Sequence, residues 1–471
     1  MGPDPPAITV CVPTYNRARY LPQALESIAA QTHAGWEAVV YDDASTDDTA
    51  EVIGSFRDDA RFRFFRQPRN VGIAANRNAC LREARGDYIA WLDSDDVYEP
   101  EMLATQAAVL DRRPGVGLVH GAFRVIDSEG AGLADWRLPF EEDTVEPGAR
   151  AFAELTLENY VAAPTTLVRR ACHERAGSYP EGRGTTSSTD WEMWLRIALI
   201  ADVAYTSRVV ASYRLHDESI SSQTTATGER LRCDAAVIRR TFASRLRIPE
   251  RERLRRRATA ALAARAVLTA TDLFGRGRRR RALKALAVSV RARPRTLAER
   301  STWRLATGIA RGDEYEVYRG SKDLLRSLHA AASPSRFADR IRKVAVPDDA
   351  WEDMVRRTAR TIERVTPAAA RVAVVDKHDP TILALSGRDG WHFPDRALQP
   401  DGYPADSERA VTYVEELRAR GATHIVFPSA SFWWLDFYSG LRDHLETTYR
   451  PVCREDHCLV YELAGRERAA A

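Results

Sequence analysis

Tyr88-Ile89-Ala90-Trp91-Leu92-Asp93-Ser94-Asp95-Asp96 passes without a break from an apolar run into an acidic turn. A short, continuous apolar run suits a strand covered on both faces. Working outward, the same arrangement recurs. Ile8–Val12 is β-branched and apolar, and Pro13-Thr14-Tyr15-Asn16 ends it. Trp36–Tyr41 is the next expected strand, closed by Asp42-Asp43, and Phe62–Phe65 is a short one. Helices are expected between them: Leu21–Gln31, a segment capped by Ser45-Thr46-Asp47-Asp48 and running through Ile53, and Gly72–Ala84. Helix Pro100–Asp111 and strand Gly117–Val125 follow. Strand and helix alternating at this spacing predict βαβ units, an α/β fold and a mostly parallel sheet. Ligands of such sheets bind beyond the carboxyl ends of the strands. Thr14, Tyr15 and Asn16, then Asp42 and Asp43, then Asp93, Asp95 and Asp96 are therefore expected on one rim.

The remainder of the 471-residue chain reads differently. Its length allows two to four domains of about 100–200 residues each. Ala, Leu and Arg dominate from Arg230 to about Leu328, with Gly275 and Gly277 as the clearest breakers and Pro294 and Pro334 as punctuation. After Asp348 an α/β pattern resumes, with helices Trp351–Val365 and Ser407–Arg420, a helix near Asp436–Thr447, and strands Arg371–Val375, His424–Phe427 and Cys458–Leu463. The expected division is 1–225, a basic helical region 226–345 and a small α/β domain 346–471. Net charge is only +3, yet Glu229–Arg300 holds 22 Lys and Arg against 6 Asp and Glu. That asymmetry points to an anionic partner, or to a solvated helical face. An anionic membrane surface fits better than nucleic acid, because no helix-turn-helix or zinc-finger signature and no aromatic interleaving accompany the charge. No apolar run of about 18 residues is present to span a membrane. The first residues lack the basic and long apolar regions of a secretory leader, so the cytosol, with peripheral membrane contact, is the expected compartment. Cys11, Cys80, Cys172, Cys233, Cys453 and Cys458 show no metal spacing and are expected to be reduced.

Asp93-Ser94-Asp95 is a DxD motif. Hard carboxylate oxygens together with diphosphate oxygens suit Mg²⁺ or Mn²⁺, and such a metal offsets charge on a departing diphosphate. An isolated acidic turn is more often solvated or a cap. The segments Val12–Arg17, Val40–Thr49, Asn70–Asn78 and Trp91–Asp96 together, in this order and spacing, closely resemble a family 2 glycosyltransferase with a GT-A fold. The resemblance covers slightly under half of the chain. It implies a nucleotide-diphospho-sugar donor and a saccharide or lipid-linked acceptor. It places Thr14 and Tyr15 against the base or ribose, with Pro13, Asn16 and Ser94 on the donor side. Asp43 would accept from the base, Asn76 and Arg77 would line the diphosphate wall, Asp93 would face ribose and metal, and Asp95 would be the main metal ligand. Against these stand plainer readings: Thr14 and Asn16 shape a turn, Asp47 or Asp48 caps a helix, and Arg77 is a surface charge.

Inverting transfer needs a base for the acceptor hydroxyl. Thr189-Asp190-Trp191-Glu192 resembles the family's acidic helix start, with Asp190 at the base position and Thr189 departing from the usual acidic neighbour. Asp190 also reads as a helix cap, and Glu192 is the reserve candidate. Trp191 and Trp194 either stack a sugar or pack the core. Tyr213-Arg214-Leu215-His216 resembles the segment closing over the diphosphate, where His216 would bind metal or phosphate. Gly182–Ser188 is a mobile loop or a connector. The C-terminal domain resembles a module attached to bacterial envelope-polysaccharide enzymes. In it, Trp433 and Trp434 stack sugars or cover a sheet edge, and Asp376 and His378 form a polar rim. The reading is an inverting, metal-dependent glycosyltransferase in surface-polysaccharide or glycoconjugate biosynthesis. A nucleotidyltransferase would want a Gly-rich basic loop where Pro13–Arg17 stands, and a non-catalytic carbohydrate-binding scaffold would not need the DSD turn or Asp190.

Overall fold

The computed structural model describes residues 6–138, 143–182, 186–332, 349–375, 381–393, 404, 406–432, 434, 435 and 438–463. Pro334, Asp376, His378, Trp433 and Asp436, singled out above, lie outside them, as do Arg183, Gly184 and Thr185 of the Gly182–Ser188 stretch. By contacts the chain forms two units, Met1–Thr296 with Ser327–Ile341, and Leu297–Arg326 with Arg342–Ala471.

The first unit holds strands β1 (Ile8–Thr14), β2 (Trp36–Asp42), β3 (Phe62–Arg66), β4 (Tyr88–Trp91), β5 (Val97–Tyr98), β6 (Val116–Ile126), β7 (Gly132–Trp136), β8 (Thr144–Glu146), β9 (Leu167–Arg169) and β10 (Asp202–Arg214). Their order is β3-β2-β1-β4-β9-β6-β10-β5, with β7 on β6 and β8 on β10. The helices are α1 (Leu21–Ala29), α2 (Thr49–Ser55), α3 (Ile73–Glu83), α4 (Met102–Arg112), α5 (Gly148–Leu155), α6 (Arg170–Ala176), α7 (Thr189–Ala198), α8 (Ile220–Thr227), α9 (Glu229–Ala243), α10 (Arg251–Gly275) and α11 (Arg279–Ala292).

Strands β3, β2, β1 and β4 run parallel, as does the pair β6–β10. The register puts Thr14 beside Asp42 and Asp42 beside Arg66, so these strand ends are level. The continuous apolar runs have a direct cause. Ile8, Val10 and Val12 of β1 face one hydrophobic cluster with α1 and α4, while Cys11 faces the other with Trp91, Trp191 and Trp194. A strand covered on both sides has no polar face to show. Strand β9 lies antiparallel between β4 and β6, which makes the sheet mixed. Gly86 precedes β4 where a Cβ would stand 2.5 Å from the Thr9 nitrogen, a contact only glycine avoids.

The basic helices do not begin as a separate layer. Val237, Ile238 and Phe242 of α9 share a cluster with Trp191, Met193 and Trp194. Some of the positive charge turns inward as well. Arg240 pairs with Glu192 at 2.6 Å and Arg265 with Asp234 at 3.6 Å. The Arg265 guanidinium also lies 5.3 Å from the centre of the Trp191 ring. The turn between α10 and α11 uses Gly277 at φ 70°, in the left-handed region.

The second unit contains β11 (Arg371–Val375), β12 (Asp389–Phe393), β13 (His424–Pro428), β14 (Arg450–Glu455) and β15 (Cys458–Glu462), in the order β12-β11-β13-β15-β14. Val372 and Val374 face a cluster with Ile362, while Ala373 and Val375 face one with Phe427 and Trp434. Trp434 is thus buried in the core. All six cysteines are buried and unpaired. Among the described residues no helix is long and apolar enough to cross a membrane.

Candidate functional site

The strand ends and the start of α7 bring a charged network together. Its centre is Arg77 on α3, buried between the rings of Trp91 and Tyr179 at 5.5 and 5.8 Å. Its Nη2 donates to Asp93 Oδ1 at 2.8 Å, and its Nη1 donates to Thr189 Oγ1 at 3.4 Å. One guanidinium therefore ties the acidic turn after β4 to the first residue of α7. Burial alone would lower the Arg77 pKa. The charge of Asp93, with Tyr179 and Asp190, outweighs burial and raises it. Burial raises Asp93, Arg77 opposes that, and Asp95 and Asp190 add to it. Arg77 is thus a buried ion-pair partner and not a surface charge.

Asp95 sits in a second cationic grip. His216 Nε2 lies 2.9 Å from Asp95 Oδ2, and Arg17 Nε is 3.4 Å from the same oxygen. Burial pushes Asp95 upward, but the His216 hydrogen bond and the Arg17 charge prevail and hold it below the usual carboxylate range. His216 itself lies 4.6 Å from the Tyr20 ring. Arg214 braces the turn by donating from Nε to the Asp95 carbonyl at 2.8 Å, and Asp96 Oδ1 accepts from the Arg214 backbone N–H at 2.8 Å. Ser94 is buried within the turn.

The other rim residues fall into two groups. Several are occupied in holding loops. Asp43 accepts from the Val71 and Gly72 N–H groups at 2.8 and 2.9 Å, one on each oxygen. Asn76 donates to the Tyr41 carbonyl at 2.7 Å. Asn16, at φ 51°, accepts from the Thr46 N–H at 2.8 Å. Asp47 accepts from the Ala18 and Thr49 N–H groups, and so serves the start of α2. Pro13 is paired with Tyr41 in the sheet. Thr14 and Tyr15 are less committed: the buried Thr14 hydroxyl has no hydrogen-bond partner among the described residues, and Tyr15 is exposed.

Asp190 stands at the start of α7, two residues after Ser188, whose φ of 62° is uncommon for a non-glycine residue. Ser188 is held there by donating to Asp234 at 2.8 Å. Among the described residues Asp190 accepts one hydrogen bond, from Asn159 Nδ2 at 3.3 Å. Asp42, Asp43, Asp47 and Asp96 all have closer bonds into the backbone or loops, so Asp190 is the least engaged of these carboxylates. Glu192 is buried and spent on Arg240 and Arg196, which removes the reserve base. Trp191 and Trp194 are core residues; the Trp191 indole donates to the Leu155 carbonyl at 2.7 Å. Neither can stack a sugar. Sequence reasoning missed Asn159, Tyr179 and the brace at Arg17. Asn159 and Tyr179 lie in no motif, and Arg17, although it ends the Val12–Arg17 segment, meets Asp95 only through a contact remote in the chain.

Among the described residues no group of three or more His, Cys, Asp or Glu side chains is placed to hold a metal ion. Asp95 and His216 nevertheless offer two donors side by side. That set fits a hard cation that takes its remaining ligands from diphosphate oxygens and water.

Residues 9–171 match the family model described as glycosyl transferase family 2. The N-terminal region belongs to glycosyl transferase family 2. An uncharacterized glycosyltransferase of Rickettsia felis is 26% identical over 223 residues, covering 46% of this chain and 36% of the relative. EpsE of Bacillus subtilis is 31% identical over 199 residues, covering 41% of this chain and 66% of the relative. The chain thus spans about one third to two thirds of the length of these relatives. Among solved structures, residues 1–349 of S. aureus TarS in complex with UDP-GlcNAc share the fold. Their TM-score is 0.50 at 21% identity, over 68% of this chain and 91% of that one. The family match ends before Asp190, and what ties its helix to the acidic turn is the Arg77 contact with Thr189 and Asp93.

Proposed function

We propose that the chain is an inverting, divalent-metal-dependent glycosyltransferase that moves a sugar from a nucleotide-diphospho-sugar to an acceptor hydroxyl. The observation that carries this reading is Arg77, which joins the acidic turn at Asp93 to the start of α7, where the little-engaged Asp190 stands. Thr14 and Tyr15 contact the nucleoside; Pro13, Asn16, Asp43, Asn76 and Ser94 shape that pocket largely through their loops. Arg77 and Asp93 face the diphosphate side. Asp95 and His216 would hold Mg²⁺ or Mn²⁺, which supplies positive charge to the leaving diphosphate. Asp190 takes the proton of the acceptor hydroxyl as its oxygen bonds to the anomeric carbon. The bond from that carbon to the diphosphate breaks, and nucleoside diphosphate departs.

Incubation with a panel of nucleotide sugars, saccharide or lipid-linked acceptors and Mn²⁺ should release nucleoside diphosphate, and chelation should stop it. A parallel incubation with nucleoside triphosphate and sugar 1-phosphate that releases pyrophosphate would instead identify a nucleotidyltransferase, and turnover in neither assay would leave a binding protein.

The acceptor is a surface polysaccharide or its lipid-linked precursor, met at the cytoplasmic face of a membrane. Between Asp272 and Glu299 the sequence has no acidic residue, and Arg278–Arg281 are exposed at the start of α11. Each well-placed basic residue adds about 1 kcal/mol of attraction to anionic lipid. Replacing these four arginines by glutamine should markedly weaken sedimentation with anionic vesicles at low salt. Unchanged sedimentation would reject the membrane contact. The proposed division is a transferase of about 1–225, basic helices of 226–345 and a small α/β domain of 346–471.

A further inference from the structure

Asp190 and Glu192 are two residues apart and so point from different faces of α7. Glu192 faces an open cavity of about 530 Å³, walled by Glu192 and Arg196 of α7, by Arg240 and Thr241 of α9, and by Arg245 and Leu246 just beyond. None of the rim residues Thr14, Tyr15, Asp93 or Asp95 lines it.

Its charge is unbalanced. Three guanidinium groups and a single carboxylate line it. Glu192 is shared by Arg240, at 2.6 Å, and Arg196, at 3.6 Å. Arg196 is held in place by donating to the Ala176 and Ser178 carbonyls at 3.0 and 2.8 Å, while its buried Nε finds no acceptor among the described residues. Arg245 is exposed and makes no hydrogen bond or ion pair among the described residues. The surplus of two positive charges matches a phosphate monoester, which carries about −1.5 to −2 at pH 7. Guanidinium forks also suit phosphate oxygens better than ammonium groups do. The volume exceeds what a bare phosphate fills and lies in the range of small-molecule sites, about 300–1,000 Å³. Pro180 and Leu246 give that space apolar walls, and the hydroxyls of Ser178 and Ser244 offer polar contacts.

We propose that this cavity is a second binding site that takes a phosphorylated sugar, with its phosphate on Arg196, Arg240 and Arg245 and its body against Pro180 and Leu246. The proposal stands apart from the donor reading, because it uses none of the same residues.

Calorimetric titration of the full chain with glucose 6-phosphate and, separately, with inorganic phosphate tests it. Glucose 6-phosphate should bind at least tenfold more tightly than phosphate. Arg245→Ala, at an exposed position, should weaken it at least tenfold, and Leu246→Trp, which fills the cavity, should abolish it. Asp95→Ala should bind as the wild type does. No binding of glucose 6-phosphate, equal affinity for the two anions, undiminished binding in Arg245→Ala, or loss in Asp95→Ala would each overturn the assignment.

Discussion

Asp190→Asn should lower kcat by about 10²–10⁴-fold, the usual contribution of a positioned general base. The fold should scarcely notice. Asp190 is partly exposed and accepts one 3.3 Å hydrogen bond from Asn159, and asparagine keeps an oxygen that can accept the same bond. The donor KM should also stay near its wild-type value, because the groups assigned to the nucleotide lie on the strand ends. The thermal midpoint and the rate of nucleoside diphosphate release, measured on the same preparation, separate the two effects. A variant within threefold of the wild-type rate would remove Asp190 from the chemistry. With Glu192 already held by Arg196 and Arg240, no neighbouring carboxylate on α7 is free to take over.

Arg77→Met should be the most damaging single change to stability near the site. It leaves Asp93 without its 2.8 Å partner and withdraws a cation from between Trp91 and Tyr179. Removing one member of a buried pair costs about 3–5 kcal/mol. The Asp93 side chain is 30% exposed and recovers some hydration, which places the expected loss near the lower bound, about 3 kcal/mol. Urea unfolding of Arg77→Met, Asp93→Asn and the double variant gives the coupling directly. The double variant should be more stable than the sum of the single losses predicts, by about 1 kcal/mol or more. Simple additivity would mean that Arg77 stabilises the fold through its rings and not through Asp93.

What the sequence revealed and what it concealed divide along physical lines. Strands β1, β2 and β4 were legible because burial on both faces leaves a mostly apolar run, broken only by the buried Thr9 and Glu37, and their ends because a polar cluster follows each one. Strands β5, β7, β8 and β9 were not legible. They are two to five residues long, too short for a period to appear, and the pairing partners of β5, β8 and β9 are remote in the chain. The long β10 was missed as well; its alternation is broken where the register shifts against β6. In the site, the motifs located Asp93, Asp95 and Arg77. They could not tell which polar atoms face a ligand and which are consumed by loops. Asp43 and Asn76 carry the same motif signal as Arg77, yet both are bonded to backbone groups. That difference depends on where lone pairs and N–H groups point after folding. Trp191 and Trp194 show the same limit, since spacing three apart serves a sugar platform and a core equally well.

The bond from Ser188 to Asp234 has a consequence for how this protein can be rearranged by evolution or by the bench. Ser188 sets the entry to α7, Asp234 belongs to α9, and Arg265 of α10 pairs with Asp234. A crossover placed at the end of the transferase motifs, near residue 225, would inherit Asp190 without the two helices that hold its helix in register. Hybrids that exchange acceptor preference therefore have to carry α7, α9 and α10 as one heritable block, and the workable joint lies downstream of them.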